Sequence, residues 1–335
     1  MSRTDPSALT ILLSSAIVAG VCGNGEDNLQ KIVWITIPLL IVGVIGWLIF
    51  VNADRAKPAR AAATVAPLQV HEGPTPVFVS IPPLKYIAER IGGDRVTVTA
   101  LVRPGADPHT FEPLPDQMAG LSTAKFFFLA GDPSELAWRD KVRGSYPDLT
   151  FIETGAAVIK RPADGEEEHH GGVDPHIWLA PELLRIQARS MAAVFMTADK
   201  PNAAYYKERL DVFTVAMDAL DGRIKELLAP YKGRSFIVFH PSWGYFADAY
   251  GLKQVPIEMA GKGPGARHLA AVTDIVRREK VSAIFAAPQF PVGEAQSVAD
   301  ATGAKVVTID PLAEDVEKNL SAVADALLAS FGGKK

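Results

Sequence analysis

Short apolar runs alternate with amphipathic stretches along most of this chain. From residue 76 onward, segments rich in Val, Ile and Thr recur, for example at 96–102 and 150–153, and stretches with helical periodicity separate them. Strands that alternate with helices of about 10 to 15 residues are typical of parallel βαβ units. The pattern therefore predicts an α/β fold with two parallel-sheet lobes, an N-terminal lobe at 76–200 and a C-terminal lobe at 232–335.

A single longer amphipathic stretch lies between these lobes. Apolar residues recur there at helical spacing, namely Leu210, Phe213, Met217, Leu220, Ile224 and Leu227. A helix of about thirty residues would be ~45 Å long, because each residue adds ~1.5 Å. We predict a long rigid connecting helix at 201–231 and interpret its apolar stripe as core packing.

The N-terminal part has a different pattern. Residues 32–51 read IVWITIPLLIVGVIGWLIFV, which is twenty residues without a charge. A helix of that length can cross a hydrocarbon core of ~30 Å. We predict a transmembrane anchor or signal segment at 32–51, with an uncleaved anchor favoured. An N-terminal segment at 1–31 precedes it, and a linker rich in Ala and Pro at 52–75 follows it.

Composition narrows the classes of function. The formal net charge of −4 gives no electrostatic footprint for nucleic acid. The single cysteine, Cys22, precedes the predicted folded body, which excludes a disulfide framework, a cysteine zinc site and a thiol nucleophile in that body. Lipidation of Cys22 is disfavoured, because Val21 stands where a lipidation signal normally has Gly or Ala.

Three histidines and one aspartate share one kind of position, at or after the end of a predicted strand or in a loop that leaves one. They are His109, His176, His240 and Asp310. Ligands of parallel α/β sheets bind outside the carboxyl ends of the strands. Imidazole suits zinc and similar ions, and a carboxylate compensates their charge. Each histidine alone is typical of a loop or cap, but together the four predict one metal site between the lobes.

The tripeptide Asp-Pro-His occurs twice, at 107–109 and at 174–176. The prolines stiffen the backbone beside the predicted ligands, which lowers the entropy lost on metal binding. Asp107 and Asp174 either orient the neighbouring imidazoles or only begin turns, and the sequence leaves both roles open.

Several segments carry a family resemblance, and they are PGADPHTFEP, DPHIWLAPE, VFHPSWGYFADAYGL, PQF at 288–290 and VVTIDPLA. Over roughly 76–331 the chain resembles the substrate-binding proteins of zinc and manganese ABC importers, the TroA-like family. The resemblance implies two α/β lobes, a rigid connecting helix and a metal ion held between the lobes. The family's ligand positions fall on His109, His176, His240 and Asp310.

The resemblance also implies the biological setting. The body would lie in the periplasm or another extracytoplasmic space, bind metal without catalysis as a monomer, and deliver the ion to an ABC permease with its ATPase. Manganese-type relatives tend to have Glu at the third ligand position, so His240 favours zinc over manganese or iron, as ligand softness does. Relatives often have Glu before PQF, and Ala287 at this position predicts that a nearby carboxylate is missing.

A short loop at 164–172, DGEEEHHGG, resembles the longer histidine-rich loop of zinc-type relatives. Its His169 and His170 either collect metal for the site or belong to a solvated acidic loop. Both interpretations are open on the sequence.

The charges around the predicted anchor point to the opposite side of the membrane. Arg55, Lys57 and Arg60 follow the anchor, whereas Arg3 and Lys31 precede it. Under the positive-inside rule, this bias favours a cytoplasmic body. Metal capture for import needs an extracytoplasmic body, so the two arguments conflict.

Two alternatives from other classes stay open. An adhesin-like surface protein could use the same fold and the same metal site. A zinc-dependent hydrolase is less favoured, because the sequence contains no H-E-x-x-H, no G-x-S-x-G and no paired-carboxylate motif. Nothing marks a large cavity for a siderophore or haem.

Overall fold

A computed structural model of the chain describes residues 73–164, 172–258 and 265–332. The predicted anchor at 32–51 and the pair His169 and His170 lie outside these residues. Within them, no helix combines the length and the apolar character that crossing a bilayer requires.

Eight strands of the described residues form two parallel sheets of four strands each. In chain order they are β1 (Thr75–Val79), β2 (Val96–Ala100), β3 (Phe126–Leu129), β4 (Thr150–Glu153), β5 (Ser235–Val238), β6 (Lys253–Pro256), β7 (Ala283–Ala286) and β8 (Lys305–Thr308). The sheets have the orders β2-β1-β3-β4 and β6-β5-β7-β8. The strand order changes direction between the adjacent strands β1 and β3 in one sheet and between β5 and β7 in the other. Ligands of α/β sheets bind at such a switch point. The predicted α/β fold with two parallel sheets is confirmed.

Nine α-helices of the described residues cover and join these sheets. They are α1 (Pro82–Gly92), α2 (Pro115–Leu121), α3 (Pro133–Ser145), α4 (Pro181–Ala198), α5 (Ala203–Leu228), α6 (Gly244–Tyr250), α7 (Ala266–Glu279), α8 (Gly293–Thr302) and α9 (Val316–Ser330). Helices α1 to α4 each have proline in their first turn. Proline fits there because its fixed φ is already helical and the first N–H groups have no partner within the helix.

Burial of the inner strands explains why their sequences are apolar throughout. Every residue of β3, which reads FFFL, and of β5 and β7 is buried. Strands of a parallel sheet are covered on both faces, so continuous apolar runs replace strict alternation. The edge strand β6 reads KQVP and is only partly buried.

The connecting helix α5 joins the cores of the two lobes. One continuous cluster of buried side chains contains Val77 from β1, Phe213 from α5, Phe236 from β5 and Leu320 from α9. With its 26 residues, α5 is ~39 Å long at the standard rise. The structure thus places a long helix inside the stretch 201–231, while the exact domain boundaries remain predictions.

Candidate metal centre

Three of the four predicted ligands lie together. His109 is in the loop after β2, His176 precedes the short turn at Ile177–Leu179, and His240 follows β5. One ligand atom from each of them lies within 4.8 Å of the other two. His176 and His240 are 3% and 6% exposed, so the cluster is largely shielded from bulk water.

The spacing of two of these imidazoles fits a zinc ion. The Nε2 atoms of His109 and His240 are 3.3 Å apart. Two nitrogens that each bind zinc at ~2.0–2.1 Å in tetrahedral geometry are separated by about 3.3 Å. The pair therefore already spans one edge of a zinc coordination tetrahedron.

Each of the three imidazoles has a carboxylate beside its Nδ1 atom. The pairs are His109 with Asp132 Oδ2 at 3.3 Å, His176 with Asp174 Oδ1 at 2.8 Å, and His240 with Glu258 Oε2 at 2.8 Å. At His176 and His240, the hydrogen bond to the carboxylate favours the tautomer in which Nδ1 carries the proton and Nε2 presents a lone pair. The cluster is therefore arranged to present Nε2 atoms to a cation.

Burial keeps the His240 ring in the uncharged form that binds metal. Burial lowers the pKa of His240 to about 4, because the charged ring would lose its water, and the nearby His176 and His109 act in the same direction. The hydrogen bond to Glu258 opposes this effect without cancelling it. At neutral pH the His240 ring is thus uncharged, which is the form that binds metal.

Asp174 remains ionised inside the fold. Burial tends to raise the pKa of Asp174, but hydrogen bonds from His176 and Arg161 outweigh burial and hold that pKa below its ordinary value. Its Oδ1 atom also accepts the backbone N–H of His176 at 2.9 Å. Of the two roles that the sequence leaves open for Asp174, the structure supports orientation of the imidazole.

Asp107 begins a turn, which is the other role that the sequence leaves open. Its Oδ1 atom accepts the backbone N–H of His109 at 2.9 Å, and its Oδ2 atom accepts the Thr110 hydroxyl at 3.1 Å. These contacts stabilise a turn rather than the imidazole ring. The carboxylate that faces the His109 ring comes from Asp132 instead.

Sequence reasoning missed Asp132 and Glu258. Asp132 follows β3 and caps α3, where its side chain accepts the N–H of Ser134 at 2.7 Å. Glu258 follows β6, and its N–H donates to Phe239 O at 2.9 Å, which aligns it with the end of β5. Asp132 is a carboxylate just beyond the apolar strand β3, so the rule that pointed to the ligands could also have found it.

Asp310, the fourth predicted ligand, lies after β8 and is not one of the clustered residues. Its Oδ1 atom accepts hydrogen bonds from Gln289 Nε2 at 2.7 Å and from Leu312 N at 2.9 Å. Gln289 itself lines the histidine pocket. The structure therefore brings together three of the four predicted ligands and links the fourth to the pocket through the Gln289 amide.

Apolar groups form the walls of the pocket. The Phe290 ring stacks on His240 with ring centroids 4.5 Å apart, and the other apolar lining residues are Pro108, Trp178, Pro311 and Leu312. Trp178 Nε1 donates to Pro311 O at 2.7 Å. Dry walls strengthen the attraction between a cation and its ligands, because water competes less.

The chain matches known proteins over most of its length. The family model described as zinc-uptake complex component A, periplasmic, matches residues 77–327. The high-affinity zinc uptake system protein ZnuA of Bacillus subtilis (strain 168) is 25% identical over 279 residues, covering 75% of this chain and 87% of that protein.

Two solved structures have the same fold. A crystal structure of ZnuA superposes with a TM-score of 0.73 at 36% identity, covering 77% of this chain and 99% of that one. A zinc-bound ZnuA that lacks residues 138–173 of its own sequence gives a TM-score of 0.74 at 35% identity, with coverages of 78% and 99%.

Proposed function

Since this chain belongs to the family of periplasmic zinc-uptake complex component A proteins, we propose that it captures zinc outside the cytoplasm and delivers it to an ABC importer. The observation that carries the proposal is the cluster of three imidazoles, each with a carboxylate at Nδ1. This arrangement supplies three neutral nitrogen ligands of the type that zinc prefers.

Asp310 is proposed as the fourth ligand. Its carboxylate would compensate part of the charge of the ion, which three neutral imidazoles cannot do. To reach the metal it has to move toward the histidines, and the pair of hydrogen bonds to Oδ1 leaves Oδ2 as the oxygen that we assign to the metal. Hydrogen bonds to the second oxygen of a ligating carboxylate are a common feature of metal sites.

The site is proposed to bind metal without catalysis. Three histidines and Asp310 would complete a tetrahedral set, which leaves no open position for an activated water. A zinc hydrolase needs that position and a base beside it. Release of the ion would instead require movement of the ligands when the protein meets the importer.

Zinc is favoured over manganese and iron as the ion. Nitrogen ligands suit zinc, whereas manganese prefers sites built mainly from oxygen. His240 is the decisive position, since it adds a third nitrogen where a carboxylate would favour the harder ion.

The partners and the location follow from the family role. We propose an ABC permease and its ATPase as partners, and a body that acts as a monomer. The segment 32–51 is proposed to anchor this body at the outer face of the cytoplasmic membrane. No contact on the described residues carries these assignments, so they rest on the family role and on the apolar segment alone.

A metal titration of the purified chain tests the function. We expect one zinc ion per chain, tighter binding of zinc than of manganese in competition, and at least about tenfold weaker zinc binding by His240→Ala. His268→Gln is the matched control, because His268 bonds Pro256 O at 3.0 Å and is not one of the clustered residues. Equal zinc affinities of His240→Ala and the unaltered chain would refute the assignment.

A further inference from the structure

One arginine joins the two lobes beside the metal site. Arg161 lies in the connection between β4 and α4, and its side chain is 18% exposed. Its Nη1 atom donates to Asp174 Oδ2 at 3.0 Å, and its Nε atom donates to Asp248 Oδ2 at 2.8 Å. Asp248 belongs to α6 of the C-terminal lobe, so a single guanidinium holds carboxylates from both lobes.

Both carboxylates belong to segments that carry a proposed ligand. Asp174 holds His176 through the ring Nδ1 and the backbone N–H, at 2.8 and 2.9 Å. Helix α6 begins at Gly244, four positions after His240. Movement of one lobe relative to the other would therefore break an Arg161 contact as it separates His176 from His240.

The backbone around Arg161 reinforces this link. The N–H of Arg161 donates to Tyr245 Oη at 3.1 Å, and the Tyr245 hydroxyl donates to Asp174 O at 2.9 Å. The N–H of Asp174 donates back to Arg161 O at 3.0 Å. Tyr245 thus binds the backbone at both Arg161 and Asp174.

The first residue of α6 also fits this arrangement. A Cβ atom at Gly244 would overlap the Arg161 guanidinium and the Asp174 carboxylate. Only glycine lets the helix start approach so closely. The guanidinium consequently lies in a space that the C-terminal lobe leaves open for it.

The alternative is a purely local role, in which Arg161 only neutralises the acidic groups beside it. Arg161 also binds Asp164 through Nη1 and Nη2, at 3.2 and 2.9 Å, so it could serve only to neutralise acidic groups. Neutralisation alone would not need Asp248, because its side chain is 60% exposed to solvent. The bond to Asp248 matters only if the relative position of the lobes matters.

We propose that Arg161 is a positioning residue that latches the two lobes around the bound metal, through Asp174 on one side and Asp248 on the other. The inference rests on the proposed function. The latch slows metal release, because the histidines from the two lobes separate only after the guanidinium has lost a partner.

The test measures the rate of zinc release from the loaded chain into excess chelator, by stopped flow. Arg161→Met should release zinc about tenfold faster, because the Asp174 and His176 pair loses its support. Asp248→Asn should release it about two- to fivefold faster, as expected for an exposed ion pair. The double variant should be no faster than Arg161→Met alone, since both changes remove the same link.

A matched control separates the latch from general loss of stability. Arg185 pairs with Asp218, with side-chain exposures of 20% and 56% against 18% and 60% for Arg161 and Asp248. Arg185→Met should lower the apo melting temperature as a lost ion pair does, yet release zinc at the unaltered rate. If Arg161→Met does not fold, Asp248→Asn and Arg161→Lys carry the test, and Lys should release zinc faster because it cannot span both carboxylates.

Release from Asp248→Asn at the unaltered rate would overturn the latch, as would strictly multiplicative effects in the double variant. If Arg185→Met accelerated zinc release as much as Arg161→Met does, the latch would also be overturned. An unaltered chain that holds no zinc would instead refute the proposed function itself. The two failures are therefore distinguishable.

Discussion

Gln289 Nε2 donates a hydrogen bond of 2.7 Å to Asp310 Oδ1. Gln289 lines the histidine pocket, so this bond joins the pocket to the fourth proposed ligand. Either the bond orients a carboxylate that moves in to bind metal, or Asp310 serves only to hold its own loop. Two further bonds fit the second role, from Leu312 N to Asp310 Oδ1 and from Asn319 Nδ2 to Asp310 O.

Asp310→Asn distinguishes these two roles. If Asp310 binds the ion, the loss of its charge should weaken zinc binding by about tenfold or more, because outer contacts alone already have effects of about that size. Zinc affinity is measured by competition with a chromophoric chelator, and Asp300→Asn on α8 is the control. A lowered melting temperature together with unchanged zinc affinity would show that Asp310 only supports its loop.

Glu258→Gln should weaken zinc binding by about tenfold. The amide can still accept the Nδ1 proton of His240, but it lacks the charge that makes the imidazole a stronger ligand. Glu279→Gln provides the comparison in the same lobe, because Glu279 accepts a hydrogen bond from Ser235 N away from the histidines. Both variants are titrated with zinc at the same pH, and identical affinities would exclude a role of Glu258 in the site.

Glu135 makes the stability of the fold depend on pH. Burial raises the pKa of Glu135 to about 7 from an ordinary value of 4.5, and the charge of Asp132 adds to this, although Ser80, Gly131 N and Ala130 N oppose it. Below pH 4.5 the side chain is protonated in both folded and unfolded chains. Between pH 4.5 and about 7, the unfolded chain has lost this proton while the folded chain still holds it. The fold therefore loses stability as the pH rises from 4.5 through 7.

Glu135→Gln should remove this dependence. Between pH 5 and 8 the variant should gain about 2–3 kcal/mol in free energy of unfolding relative to the unaltered chain, from about 1.4 kcal/mol per pKa unit. The measurement is urea unfolding of the metal-free protein at both pH values. A difference between the two proteins that stays constant with pH would contradict a raised pKa at Glu135.

Two glycines should respond to alanine with opposite signs. A Cβ at Gly244 would displace the Arg161 guanidinium, so Gly244→Ala should cost about 1–3 kcal/mol of stability. Gly222 lies within α5 with no atom near a Cβ position, so Gly222→Ala should add about 0.5–1 kcal/mol. Urea unfolding measures both, and stabilisation by Gly244→Ala would mean that the guanidinium is not held in place.

The composition of each strand decides whether the sequence could predict it. Strand β4 has the predicted bounds, 150–153, because its short segment with β-branched and aromatic residues is set off from the helical stretches on either side. The short edge strand β6 was not predicted, since KQVP contains Lys and Pro, which are depleted in strands. Without β6, nothing placed Glu258 beside His240, although the two residues are only 18 positions apart.

The carboxylates around the site were also hard to predict, because strand pairing brings them there. Ala287 predicted that a carboxylate near the site is missing, but Glu258, which follows the neighbouring strand β6, supplies one to His240. Pairings between strands depend on sheet order, which local patterns do not reveal. The latch of Arg161 was invisible for the same reason, because its partner Asp248 lies 87 positions away.

Anomalous diffraction at the zinc edge, from crystals of the zinc-loaded chain, locates the bound ion among its ligands. We expect one strong peak at ~2.0–2.1 Å from the Nε2 atoms of His109, His176 and His240, the usual length of a zinc–imidazole bond. An oxygen of Asp310 should complete the tetrahedron. A peak elsewhere on the molecule, or one that fewer than three of these imidazoles contact, would contradict the proposed metal site.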